Sequence, residues 1–226
     1  MIPLHDLEPR RRQAVATRLL LLTNILVWIY VLTISRDTAA VTAFYDRWSF
    51  DPTESRAALA SGQPVAALVP LVSHQFLHAG WLHLLGNMLY LWIFGDLVED
   101  RAGSVPFLIF YLLAGAIAAI GQALVAPSAM VGASGAIAGV LGAYVVLSPA
   151  ARVRTLVFLG IFITVLTLPA IVVIGEWLVI QVIAGLDVMR IASHRATESV
   201  AYVAHVVGFA AGVVAVAIFR LGRTAR

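Results

Sequence analysis

The chain has 226 residues, of which 61% are hydrophobic and only 12% charged, with a mean hydropathy of +0.94. Soluble domains carry roughly a quarter of their residues as charges, so this composition excludes a water-soluble globular fold and predicts an all-α polytopic membrane protein. The absence of cysteine excludes disulfides and thiolate chemistry. All 15 basic residues are arginine, which excludes a serine–lysine dyad, and the net charge of +3 reflects membrane topology rather than nucleic-acid binding.

Residues 1–16 read as a polar, cytosolic N-terminal tail containing Arg10, Arg11 and Arg12. Residues 19–34 are almost wholly apolar, too long for a cleaved signal, and predict transmembrane helix one. Residues 36–80 form a long outer loop rich in interfacial aromatics such as Phe44, Tyr45, Trp48 and Phe50. That loop is expected to lie at the membrane interface, with a short helix around residues 53–61. Helix two is predicted over residues 81–98 and helix three over 105–126.

After a short return at 127–133, helix four is predicted over residues 134–147. Fourteen residues span about 21 Å, short for a hydrocarbon core of about 30 Å. Its first residue therefore sits below the membrane surface, where non-helical backbone needs protein or a water-filled cavity around it. Residues 149–154 read as cytosolic, 155–167 as interfacial or re-entrant, 168–186 as helix five, 187–198 as an outer loop and 200–219 as helix six. The reading divides the chain into the tail 1–16, a six-helix membrane domain 17–220 and a cytosolic tail 221–226. Ten arginines fall on the side of the two termini and five on the other, which orients both termini to the cytosol.

Polar residues inside membrane helices are functional candidates by default. Ser134 opens helix four between Gly132 and Gly135. It reads either as a helix cap or as a nucleophile beside the free N–H groups of a helix start. His83 and Asn87, four residues apart, share one face of helix two. His205 lies on helix six with Gly208 and Gly212, a small-residue stripe matched on helix four by Gly135, Gly139 and Ala143. If the stripes meet, Ser134 and His205 make a nucleophile and base without a carboxylate on the same side. His205 also reads as a packing histidine, His83 and Asn87 as an interhelical pair, and His74 and His78 as structural. Glu99 and Arg101 are expected to tie down the inner end of helix two, and Glu176 and Gln181 to point into the bundle or towards water. No HExxH, P-loop or paired intramembrane aspartate occurs, and no metal or cofactor is expected.

His83-x-x-x-Asn87, Gly132-x-Ser134-Gly135 and Ala204-His205-x-x-Gly208 resemble, in order and in helix placement, the rhomboid intramembrane serine proteases. The resemblance runs from about Trp48 to the end of helix six and takes in 73–78 and 95–103. Many relatives carry Trp-Arg where this chain has Pro70 and Leu71. The resemblance implies a six-transmembrane-helix bundle and a catalytic Ser134–His205 dyad. It also implies an oxyanion hole from His83, Asn87 and the Ser134 N–H, with helix five and the following loop as gate. Its implied partners are the lipid bilayer and transmembrane protein substrates cut near the outer face, in a bacterial inner membrane. A non-enzymatic relative that binds transmembrane helices is the second reading. A small transporter is the third, and the gathering of polar residues towards one face argues against it.

Overall fold

The computed structural model describes residues 1–160, 162–191 and 202–224. Among the described residues, three helices are long and apolar enough to cross a membrane: α1 (Val15–Ile34), α6 (Trp81–Ala102) and α7 (Ser104–Val125). Between the first two lie α2 (Thr38–Trp48), α3 (Pro52–Ala60), α4 (Pro64–Leu68), α5 (Pro70–Ser73) and a 3-10 turn (His74–Phe76). The helix expected around 53–61 is α3, started by Pro52 and by Asp51, whose carboxylate accepts from the Thr53 and Glu54 N–H groups. Asp37 caps α2 likewise, accepting from the Ala40 N–H at 3.1 Å. Each such cap contributes about 1 kcal/mol.

The helices expected as four, five and six are α8 (Ser134–Leu147), α9 (Ala170–Ile191) and α10 (Tyr202–Thr224). For α8 the expected and observed bounds coincide. Helix α9 continues past residue 186, so the start of the expected outer loop at 187–198 is helical to Ile191, and residues 192–198 lie outside the described residues.

The fold is not all-α. Strands β1 (Ile2–Asp6), β2 (Arg152–Leu159) and β3 (Phe162–Pro169) form an antiparallel sheet in that order. Residues 155–167, expected as interfacial or re-entrant, are therefore most of a hairpin. The cause is a period-two pattern: Val153, Thr155 and Val157 are buried while Arg152 and Arg154 are exposed. Gly160, at φ +65°, opens the hairpin turn. The third strand comes from the expected N-terminal tail.

Helix α8 is the axis of the bundle, buried continuously from Gly135 to Tyr144. Its small residues admit α10 at backbone contact. A Cβ built on Gly212 would lie 1.9 Å from the Gly139 carbonyl oxygen, one on Gly208 2.2 Å from that of Gly135, and one on Gly142 2.1 Å from that of Phe209. The two glycine stripes do face each other, and Gly142 extends them. Against the other side of α8, the Phe94 ring of α6 meets Tyr144 edge-on at 5.0 Å.

Glu99 locks the end of the bundle next to the sheet. Its buried carboxylate accepts from the Ala16 and Thr17 N–H groups at 2.8 and 2.7 Å, the Thr17 hydroxyl at 2.8 Å and the Ser104 hydroxyl at 2.5 Å. It thus satisfies the orphan donors at the start of α1 from α6. Asp100 accepts from the Arg11 and Arg12 N–H groups at 3.0 and 2.7 Å.

Candidate active site

Ser134 sits at the opposite end of the bundle from the sheet, and the segment between α1 and α6 builds its support. The Phe50 and Met130 backbones exchange hydrogen bonds at 3.1 and 2.9 Å, fixing the return before α8 to the segment after α2. The Gly132 N–H donates to the His74 carbonyl at 2.9 Å. The Ser73 hydroxyl donates to the Trp48 carbonyl at 2.8 Å, and the Tyr45 hydroxyl to the His78 carbonyl at 2.6 Å. The buried Gln75 amide donates to the Leu71 and Leu112 carbonyls at 2.9 and 3.0 Å, its side chain lying where a Cβ on Gly115 would sit.

Gly132 adopts φ +123°, a conformation that L side chains rarely adopt. A Cβ there would lie 2.7 Å from Cε1 and Nε2 of His83 and 3.8 Å from the Ser134 hydroxyl oxygen. The absent side chain is thus what lets the His83 imidazole lie over this turn, next to Ser134. The cap position of α8 is Ala133, whose carbonyl accepts from the Ile137 N–H at 3.0 Å. Ser134 is the first helical residue and makes no side-chain cap bond. The capping reading is therefore removed, and the hydroxyl stands half-buried at a helix N-terminus.

His205 reaches the same end of the bundle on α10. Its neighbour Ala204 lies 4.0 Å from where a Cβ on Gly135 would be, and the Ala204 N–H donates to Gln122 Oε1 at 3.1 Å. The buried His205 ring has Nδ1 2.6 Å from Gln181 Oε1. Trp177 lies against it at 5.6 Å between ring centroids, and Tyr202 edge-on at 6.4 Å. Its other nitrogen, Nε2, is buried with no hydrogen-bond partner among the described residues, and no Ser134–His205 hydrogen bond is formed in this structure. Apo sites often hold such pairs apart until substrate binds.

On α6, the Asn87 amide nitrogen Nδ2 is likewise buried and unpaired, one turn beyond His83. Leaving a buried donor or acceptor unmade costs about 1–3 kcal/mol, and here two occur on helices flanking the start of α8. His78 lies edge-on to His83 at 5.1 Å, and neither of its ring nitrogens has a close hydrogen-bond partner among the described residues. Burial first, and then the neighbouring His83, holds His78 far below the ordinary imidazole range, at about 3. Burial lowers His74 to about 4, against two backbone hydrogen bonds that oppose it. Both are neutral at physiological pH, and His74 Nδ1 lies 2.8 Å from the Pro70 carbonyl oxygen.

The structure thus gathers Ser134, His83 and the surroundings of His205 at one end of the bundle. Gln181 and Trp177 are the neighbours of His205 that sequence reasoning did not pair with it. A signal existed in the cost of placing Gln181 in lipid, but it does not say which helix the amide meets.

A serine at a buried helix start, a facing histidine helix and close glycine packing define a class of membrane-embedded fold, and comparison with known families names it. The Rhomboid domain model matches residues 66–222, and the chain belongs to the rhomboid family. It is 45% identical over 92 residues to rhomboid protease GluP of Bacillus subtilis (strain 168), covering 40% of this chain and 17% of that one. It is 39% identical over 71 residues to rhomboid protease GlpG of Haemophilus influenzae, covering 31% and 37%. It is 43% identical over 70 residues to the chloroplastic rhomboid-like protein 11 of Arabidopsis thaliana, covering 30% and 25%. The matched stretches span less than two-fifths of each of these relatives.

Proposed function

We propose that this protein is an intramembrane serine endopeptidase that cuts transmembrane segments of other membrane proteins near the outer face of the bilayer. Helices α1, α6, α7, α8, α9 and α10 are its six spans, and both termini face the cytosol of a bacterial cell. The observation that carries the reading is the state of the Ser134 neighbourhood. A hydroxyl not used for capping stands at a helix start, and buried polar atoms with no partner among the described residues, His205 Nε2 and Asn87 Nδ2, lie on the helices to either side. Such atoms are costly unless water, a ligand or a reaction uses them.

In the proposed reaction Ser134 Oγ attacks the scissile carbonyl carbon while His205 Nε2 takes the hydroxyl proton. The Ser134 N–H, His83 and the Asn87 amide hold the oxyanion; one such donor is typically worth about 10²–10³ in rate. His205 then protonates the departing amine, leaving an acyl-enzyme. Water attacks that ester with His205 again as base, and Ser134 is regenerated. A substrate helix must open locally to expose its carbonyl, so residues of low helix propensity near the cut favour cleavage.

Reaction with a fluorophosphonate probe separates an enzyme from a helix-binding relative. Ser134 is expected to be labelled covalently, and His205→Ala and Ser134→Ala to abolish labelling. Absence of labelling in the intact protein supports the binding reading instead.

A further inference from the structure

Among the described residues His205 has no carboxylate partner, yet a neutral imidazole needs something to decide which nitrogen carries its one proton. To act on Ser134, the lone pair must be on Nε2, so the proton must be on Nδ1. The atom facing Nδ1 is Gln181 Oε1, 2.6 Å away and an acceptor only. Gln181 is itself buried and lies within apolar helix α9. With the proton on Nε2 instead, two lone pairs would oppose each other at that distance in a low-dielectric site. Trp177, four residues earlier on the same face of α9, lies against the imidazole and restricts its rotation. Two groups from one helix therefore govern both the tautomer and the plane of the ring.

We infer that Gln181 is a positioning residue: its Oε1 accepts the Nδ1 proton of His205 and so reserves the Nε2 lone pair for Ser134. The inference rests on the Ser134–His205 reading above. It explains how the base is oriented without an aspartate, since a neutral amide avoids the penalty of a charge at this depth. It also makes α9 part of the catalytic apparatus. The base is correctly set only while α9 is packed against α10, so a substrate must enter without parting Gln181 from His205.

The test combines nitrogen-15 NMR of the histidine-labelled full-length protein with kinetics of Gln181→Leu and Gln181→Glu. The native protein is expected to show His205 as the Nδ1–H tautomer, and Gln181→Leu to lose that preference. Gln181→Leu should lower fluorophosphonate labelling of Ser134 about 10²-fold. It should lower kcat for a transmembrane substrate to match, with KM within about twofold. Gln181→Glu keeps an acceptor oxygen and should recover labelling to within about tenfold of the native rate. An Nε2–H tautomer in the native protein overturns the inference without any variant. So does a Gln181→Leu protein that labels at the native rate. Failure of the dyad reading looks different: the native protein then takes no probe at all, and the tautomer measurement alone decides what Gln181 does to His205.

Discussion

Gly132 shows how much of the site depends on one missing side chain. Its N–H holds the turn to the His74 carbonyl, its φ of +123° re-aims the chain into α8, and its bare α-carbon makes room for His83. Gly132→Ala meets both obstacles together. The backbone strain alone costs about 1–3 kcal/mol, and the new methyl forces the His83 ring away from Ser134. The variant is expected to unfold at lower temperature in detergent and to lose Ser134 labelling more than its residual fold explains. Ser134 stands at a helix start, the position the proposed nucleophile would use. With Ala133 in the cap position, the side-chain oxygen is free of the N–H groups that a capping serine would bond.

At the scale of elements, the α8–α10 contact sets where His205 stands relative to Ser134. The Gly212 α-carbon packs directly on the Gly139 carbonyl, and backbone cannot step aside as a side-chain tip can. Gly212→Ala should push the helices apart, cost about 1–3 kcal/mol of stability and reduce activity by displacing His205. Gly175→Ala is the control: none of the described residues lies within 4 Å of its added methyl, and helix propensity favours alanine by about 1 kcal/mol. Chemical denaturation of the two variants in the same detergent checks the contrast. This contact was legible in advance because small residues at four-residue spacing carry a geometric meaning of their own. So was α8, whose short apolar run is bounded by a glycine turn and Pro149. The hairpin was hidden because its exposed face is apolar as well: Phe158, Phe162 and Ile163 erase the alternation that Arg152 to Val157 begins. Its pairing with β1 joins segments about 150 residues apart, which no local pattern announces. The Gln181–His205 pair was hidden for a related reason, since it depends on how α9 is rotated against α10.

The whole molecule is polarised. One end gathers the sheet, the start of α1 held by Glu99, and the arginine-rich sequence before it held by Asp100; the other gathers α2 to α5 over Ser134 and His205. Met1 reaches α9 from the first end, its amino group 3.1 Å from Glu176 Oε1. Helix α9 is thus tied to the sheet at its start and to His205 further along. The central claim is that this scaffold holds a serine peptidase within the membrane. It is tested most directly with the purified full chain in lipid vesicles, together with a substrate carrying one transmembrane segment that has small, helix-weakening residues near its outer end. The native protein should cut that segment, and Ser134→Ala and His205→Ala should each lower the rate by about 10³-fold or more. Cleavage that persists at the native rate in both variants would contradict the account.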